Sequence, residues 1–223
     1  MNITWINKNS AKKLILFFNG WGMDKNIVQH IKPLGYDICM FNNYTDIKYF
    51  DNNYDSYDKI YVIAWSLGVW AAERIINNVE IKIEKSIAIN GTSLPIDNMY
   101  GIPKNIFEGT ANNWNDKNKQ KFWLRMFSGK TCLNDFSDCL PKRESADQKN
   151  EILYLTDKIL KHESITTFNW DTAICGEKDQ IFTIKNQKQF WVQKAKTKLL
   201  ITNIPHFPFT QTETWDDIIN EKF

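Results

Sequence analysis

The stretch around Ser66 limits the folds open to this chain more than any other. Residues 60–63 (I-Y-V-I) form a β-branched and aromatic run typical of a buried strand, and Leu67 to Ile76 has helical apolar spacing. Ser66 therefore falls at a tight strand-to-helix turn. In the G-x-S-x-G nucleophile elbow, small residues two before and two after the serine let strand and helix approach and push the hydroxyl outward. Here Ala64 and Gly68 hold these positions, and the alternative is an ordinary serine-glycine turn.

Strand-like and helix-like segments alternate along most of the chain. The predicted strands are 14–18, 36–41, 60–64, 85–90, 172–175 and 198–202, and the predicted helices are 26–31, 67–76, 184–193 and one near Trp215. Such alternation predicts an α/β protein with a mostly parallel sheet flanked by helices. With 223 residues, 43% of them apolar, the chain can build one sizeable core, so we expect a single domain over 1–223. The segment 103–165 breaks the rhythm, and we expect it to form helical hairpins inserted as a lid over the sheet.

Composition excludes several other classes of protein. The four cysteines contain no C-x-x-C pair and there are only three histidines, so we expect no structural metal site or disulfide framework. Cys39 and Cys175 lie in strand-like runs and are predicted to be buried. A formal charge of +2 indicates no strong attraction to nucleic acid, and no apolar run is long enough to predict a membrane span. Residues 1–10 are polar and lack the apolar core of a signal peptide, so the expected location is the cytoplasm.

Two further reactive residues follow predicted strands. Asp179 comes just after the strand 172–175, and His206 follows the strand 198–202. Because parallel α/β sheets bind ligands at the carboxyl ends of their strands, we expect both residues to meet Ser66 there. Ser66 would be the nucleophile, His206 its base and Asp179 the orienting acid, in the chain order that α/β-hydrolases use. The alternatives are Glu177 or Asp171 as the acid, a capping or turn role for Asp179, and a histidine packed between Pro205 and Pro208.

An acyl-transfer site also needs hydrogen-bond donors for the oxyanion. One is usually the backbone N–H after the nucleophile, which belongs here to Leu67. The segment F-F-N-G-W-G-M-D supplies the second, because the glycines around Trp21 let its backbone amide face the site. A plain turn capped by Asp24 would fit the same residues. The side chains of Trp21 and Trp65 are candidates for the walls of a substrate slot, although core packing is the commoner role of tryptophan.

Taken together, these motifs resemble one family of esterases. N-G-W-G-M-D, A-W-S-L-G, G-E-K-D-Q-I and P-H-F-P-F are similar to segments of the pimeloyl-acyl-carrier-protein methyl ester esterases of biotin synthesis, in particular the small BioG-type branch. The likeness extends through N-G-T-S-L-P-I-D, Y-G-I-P and F-W-L-R-M-F. It implies a serine carboxylesterase that releases methanol and pimeloyl-acyl-carrier protein, with Ser66, Asp179 and His206 as its triad and the Trp21 and Leu67 amides as its oxyanion hole. Such a reaction needs no metal or cofactor. Asn19 and Ala64 depart from the common pattern, but neither removes a reacting group.

The implied carrier protein is acidic, which directs attention to a basic stripe in the segment 103–165. Lys117, Lys121 and Arg125 are four residues apart and would share one helical face, with apolar residues on the other. We predict that this stripe, Lys117, Lys121 and Arg125, binds the carrier protein. A solvated helix face would give the same pattern, and Arg125 would be taken out of the stripe by pairing with Asp135 or Asp138. A general carboxylesterase, an acyltransferase or lyase, and an inactive binding module remain alternative functions, and the oligomeric state is not predicted.

Overall fold

A seven-stranded sheet forms the centre of the computed structural model, which describes residues 1–47, 54–161 and 168–223. The strands lie side by side in the order β1-β3-β2-β4-β5-β6-β7. β1 is antiparallel to β3, and the other neighbours are parallel. The strands are β1 (Asn2–Asn7), β2 (Lys13–Phe18), β3 (Tyr36–Asn42), β4 (Lys59–Trp65), β5 (Ile83–Ile89), β6 (Thr172–Lys178) and β7 (Lys198–Pro205). The predicted α/β class and mostly parallel sheet are confirmed.

Within the described ranges, α-helices lie between β4 and β5, between β5 and β6, between β6 and β7, and after β7. They are α1 (Leu67–Ile76), α2 (Lys104–Asn112), α3 (Asp116–Met126), α4 (Lys130–Asp135), α5 (Ser145–Lys161), α6 (Ile184–Trp191) and α7 (Trp215–Ile219). Helices α2 to α5 all lie between β5 and β6, in the segment 103–165 that was predicted to form a helical lid. Its end, 162–165, lies outside the described residues, and its function as a lid stays a prediction. Among the helices that the structure describes, none is both long and apolar enough to cross a membrane.

Two predictions about local structure were incomplete or wrong. β1 was not predicted, and it adds an antiparallel edge to the sheet. The predicted helix 26–31 is only a 3-10 turn, Lys25–Val28, capped by the Asp24 carboxylate, which accepts a hydrogen bond from the Asn26 N–H. Lys32 must already be extended, because it bridges to Thr214 and precedes a proline, so there is room for a single turn.

The core surrounds the middle of the sheet. Every residue of β3 is buried, as are all residues of β2 and β4 except the first of each. Strands covered by helices on both faces become continuously apolar in this way. Cys39 and Cys175 are free and buried, as predicted, and burial raises the pKa of the Cys39 thiol to about 12. Polar side chains that could take part in a reaction are therefore expected at the ends of the strands and not in the middle of the sheet.

Candidate active site

Ser66 occupies a strained turn between β4 and α1. Its φ of 59° and ψ of −128° are rare for a residue with a side chain, a conformation that costs on the order of 1–3 kcal/mol. The Ser66 N–H donates to the Ile89 carbonyl at 2.9 Å. At Gly68 a Cβ atom would lie 2.2 Å from the Phe18 carbonyl oxygen, so only glycine fits there. Ala64 is fully buried and its methyl group is accommodated, so the departure from the usual first glycine leaves the elbow intact.

The structure brings together the three residues predicted as a triad. His206 Nε2 lies 3.1 Å from Ser66 Oγ, and His206 Nδ1 lies 2.9 Å from Asp179 Oδ2. His206 is only 1% exposed. Its backbone carbonyl accepts hydrogen bonds from Trp65 Nε1 at 2.8 Å and from Asn90 Nδ2 at 3.1 Å. Hydrogen bonds therefore fix His206 at its backbone carbonyl as well as at both ring nitrogens.

Asp179 is placed to fix the tautomer of the histidine. Its Oδ1 accepts the backbone N–H groups of Ile181 at 2.7 Å and Phe182 at 2.9 Å, and its Oδ2 accepts Gln187 Nε2 at 3.2 Å. Because an ionised carboxylate can only accept, the proton of neutral His206 sits on Nδ1. Nε2 then faces the Ser66 hydroxyl with its lone pair, which is the arrangement a general base requires.

The competing acids lie elsewhere. Glu177 is an exposed residue of β6, which runs on to Lys178 and not only to the predicted Cys175. Asp171 precedes the same strand at its opposite end and accepts the Ser86 N–H at 2.7 Å. Of the three acids, only Asp179 is hydrogen-bonded to His206.

The loop after β2, which was predicted to supply an oxyanion donor, lies beside the serine. A Cβ atom added to Gly20 would lie 3.5 Å from Ser66 Cβ. Asn19, at the position where related hydrolases often have histidine, ties the loop together: its Oδ1 accepts the Gly20 N–H at 2.9 Å and its Nδ2 donates to the Asp24 carbonyl at 3.1 Å. Within the described part of the chain, neither the Trp21 N–H nor the Leu67 N–H has an acceptor. Both are free to serve an oxyanion.

A mostly apolar pocket opens above Ser66 and His206. Trp21 and Trp65, the two candidates for substrate contact, both contribute to its wall, and Trp65 is completely buried and also holds the histidine loop. The other apolar residues of the wall are Met23, Leu67, Ile102, Ile106, Phe107, Phe122, Met126, Ile152 and Ile181. Over the described ranges, no group of three His, Cys, Asp or Glu side chains is arranged to hold a metal ion.

The three residues of the basic stripe are exposed on α3, with Phe122 and Met126 buried on its other side. Arg125, however, also lines the pocket above Ser66, which the sequence did not indicate. Lys121 and Arg125 line a neighbouring groove between α2 and α3. In the described structure no ion pair joins Arg125 to Asp135 or Asp138.

Several residues that shape the site were not predicted. Asn90 follows β5 and bonds the Gly176 N–H at 2.7 Å as well as the histidine loop, so its strand-end position was a usable signal. Gln148 and Glu151 on α5 bond the loop that contains Trp21. Nothing in the local sequence marks these two residues, because Gly22, the loop residue that both side chains contact, is more than 120 residues away.

Comparison with known proteins decides the family. A family model described as pimeloyl-ACP methyl esterase BioG matches residues 1–218. The chain belongs to the BioG family. The crystal structure of BioG from Haemophilus influenzae has a TM-score of 0.88 and 30% sequence identity, and the match covers 97% of this chain and 98% of that one. The family resemblance seen in the motifs is thus confirmed, and the activity named for the BioG family is ester hydrolysis.

Two other relatives extend the comparison. A Bacteroides fragilis protein named malonyl-[acyl-carrier protein] O-methyltransferase is 40% identical over 180 residues, which are 81% of this chain. The chain spans only 36% of the length of that relative. A lipase-esterase related protein from Clostridium acetobutylicum has a TM-score of 0.68 at 14% identity over 99% of this chain and 97% of that one, which shows the shared α/β-hydrolase fold.

Proposed function

We propose that this chain hydrolyses the methyl ester of pimeloyl-acyl-carrier protein, giving pimeloyl-acyl-carrier protein and methanol in biotin synthesis. The observation that carries the proposal is the hydrogen-bonded series Ser66, His206 and Asp179 below an apolar pocket, in a member of the BioG family. A cytoplasmic location stays a prediction.

The reaction proceeds in two halves. Ser66 Oγ attacks the ester carbonyl carbon while His206 Nε2 takes its proton, and Asp179 stabilises the imidazolium that results. The oxyanion accepts the N–H groups of Trp21 and Leu67. When the C–O bond to the methoxy group breaks, His206 returns the proton and methanol leaves. Water then attacks the acyl-serine with His206 as base, which releases the carboxylate product and restores Ser66.

The pocket suits the acyl chain of this substrate. Its wall is built mainly from tryptophan, phenylalanine, isoleucine and methionine side chains, and a run of methylene groups loses no hydrogen bonds on entering it. Burial of each methylene contributes about 0.8 kcal/mol to binding. The esterified end would then lie at Ser66 and the carrier-linked end at the mouth.

The groove between α2 and α3 is the proposed route to the carrier protein. Ile106, Thr110 and Arg125 line both the groove and the catalytic pocket, so the two spaces adjoin. Lys121 also lines the groove, and Lys117 is exposed one helical turn away. Positive charge at the mouth would attract an acidic carrier, an effect that governs association more than chemistry. Arg125, because it reaches the pocket, would contact the acyl arm as well.

The name of the Bacteroides relative supports an ester on a carrier protein. A methyltransferase acting on the malonyl-carrier protein, as that name states, makes a methyl ester of an acyl-carrier protein. A methyl ester on a growing acyl chain must later be removed by a hydrolase. We assign that second step, and not the methyl transfer, to this chain.

Mass spectrometry of methyl pimeloyl-carrier protein incubated with the purified chain tests the proposal directly. The expected result is loss of one methylene mass from the carrier protein and release of methanol. Ser66→Ala is the control, since it should leave the substrate intact. If the purified chain leaves the carrier-bound ester unchanged but hydrolyses small esters, a general carboxylesterase is the better assignment.

A further inference from the structure

The loop beside Ser66 is bonded to helix α5, a contact that the triad chemistry does not use. The Gly22 N–H donates to Glu151 Oε2 at 3.1 Å, and the Gly22 carbonyl accepts Gln148 Nε2 at 2.8 Å. The Trp21 indole N–H donates to the Gln148 carbonyl at 2.9 Å. Three hydrogen bonds therefore join two side chains and one carbonyl of α5 to two consecutive loop residues.

These contacts bear on the direction of the Trp21 amide. A peptide unit is planar, with its N–H and C=O pointing in opposite directions. Gln148 holds the Gly22 carbonyl, and the Met23 N–H in the same peptide unit donates to the Gly20 carbonyl at 3.4 Å. That carbonyl shares a peptide unit with the Trp21 N–H. Rotating the peptide unit that carries the Trp21 N–H would therefore break the hydrogen bond from the Met23 N–H, which belongs to the peptide unit that Gln148 holds.

Burying the carboxylate of Glu151 at this position costs free energy. Burial raises the pKa of the Glu151 carboxyl, an effect opposed by Arg143, which pairs with Oε2. The other oxygen, Oε1, accepts the Tyr44 N–H at 2.9 Å. Replacing a buried ion pair with apolar side chains is often neutral or stabilising, so packing alone does not account for a carboxylate here. Its two oxygens instead hold two backbone segments in fixed positions.

The loop is also shaped to receive α5. Gly22 has a φ of +75°, and a Cβ atom there would lie 3.4 Å from Gln148 Nε2. A side chain at this position would be strained by its backbone and would crowd the glutamine. The glycine and the glutamine thus form a close contact between loop and helix.

We propose that Gln148 and Glu151 are positioning residues that hold the loop 20–23 so that the Trp21 N–H faces the oxyanion. The inference rests on the proposed function, because it assumes that this N–H stabilises the transition state. Since both residues belong to α5, docking of the helical segment on the sheet and formation of the oxyanion hole are one event. The helical segment that contains α5 therefore also holds the oxyanion hole in its active geometry.

The test uses Gln148→Met and Glu151→Gln with p-nitrophenyl acetate as substrate. Losing an oxyanion donor outright lowers kcat by about 10²–10³-fold, so a donor left in place but misdirected should cost roughly 10- to 100-fold. KM should change by less than about threefold, because neither Gln148 nor Glu151 lines the pocket and the Trp21 indole keeps its bond to the backbone carbonyl of residue 148. The pH dependence of kcat should be unchanged, because the triad keeps its hydrogen bonds.

Asp37→Asn is the matched control. Asp37 is 1% exposed and, like Glu151, accepts two backbone N–H groups, from Asn9 at 2.7 Å and Ala11 at 3.3 Å. It lies near the N-terminal end of β3, whereas Ser66 follows the C-terminal end of β4, so the two residues are at opposite ends of the parallel strands. Its loss should lower the melting temperature and leave kcat unchanged below that temperature, whereas the α5 variants should lose kcat while still folded.

Unchanged kcat in folded Gln148→Met would overturn the proposal, even if Glu151→Gln fails to fold. A loss of kcat accompanied by a shifted pH profile would also overturn it, because the triad would then be the disturbed part. A small ester makes this test independent of the carrier protein. If the wild-type chain cleaves the small ester but not methyl pimeloyl-carrier protein, the proposed substrate fails and the positioning role is still measured.

Discussion

Asp179→Asn is the substitution whose effect can be worked out most fully from the structure. The carboxylate accepts two backbone N–H groups through Oδ1, and His206 Nδ1 and Gln187 Nε2 through Oδ2. Asparagine keeps one acceptor oxygen. With that oxygen toward the backbone, its NH2 group faces His206 Nδ1, which must then give up its proton. Nε2 becomes protonated and can no longer take the proton of Ser66.

The opposite amide orientation would preserve the correct tautomer at a cost. It would leave the N–H groups of Ile181 and Phe182 facing an NH2 group, and each unsatisfied buried donor costs about 1–3 kcal/mol. The competent orientation is therefore disfavoured by about 2–6 kcal/mol. Since 1.36 kcal/mol is a factor of ten, we expect kcat to fall by about 30- to 3 × 10⁴-fold.

Steady-state hydrolysis of a small ester measures this loss, with the melting temperature recorded for each variant. Glu177→Gln is the matched control, because it changes a carboxylate two residues away that is exposed on β6 and should keep full activity. Asp179→Asn with kcat within threefold of the wild type, in a folded protein, would refute the assignment of the acid. Loss of activity in Glu177→Gln instead would move the role to that residue.

Three further predictions concern the nucleophile, the basic stripe and acid stability. Ser66→Ala should abolish labelling by a fluorophosphonate with no loss of fold, and labelling that persists at another residue would contradict its role. Lys117→Glu with Lys121→Glu should lower kcat/KM for the carrier-bound ester but not for a small ester, and added salt should reduce the wild-type value, since screening acts over about 10 Å at 0.1 M; equal loss on both substrates would indicate a structural role. Burial opposes ionisation of Glu221, but hydrogen bonds from Lys198 and other donors lower its pKa from 4.5 to about 2. Glu221→Gln should therefore lower the melting temperature most above pH 4.5, with the difference shrinking as pH falls toward 2; a constant difference would argue against the ion pair.

The sequence was most informative where periodicity and chain order act together. The strands 14–18, 36–41 and 60–64 are continuously apolar because helices cover them on both faces, so they were predicted with nearly the observed bounds. Strand ends in a parallel sheet converge on one edge, which is why Ser66, Asp179 and His206 were predicted to meet. At these positions the local sequence pattern and the topology of the sheet predict the same structure.

The remaining features depend on contacts that no local pattern encodes. Only half of the residues of β1 are apolar and all of them are exposed or half-buried, so it lacks the continuous apolar run of the inner strands. The expected helix 26–31 has a suitable pattern, but the bridge from Lys32 to Thr214 requires extended backbone. Gln148 and Glu151 resemble ordinary polar residues of an amphipathic helix until α5 is packed against the loop 20–23. Arg125 likewise enters the pocket only through the position of α3 over the sheet.

The distance along the chain between Ser66 and its base has a consequence for synthesis. The two residues are 140 positions apart, and His206 follows β7, the last strand of the sheet. A ribosome releases the nucleophile long before it releases the imidazole, so a nascent chain holds an inert serine until its final strand has been made and paired. Reactivity toward a fluorophosphonate should accordingly appear late in refolding, after the early strands have acquired protection from hydrogen exchange. The enzyme's own chemistry thus reports completion of its sheet.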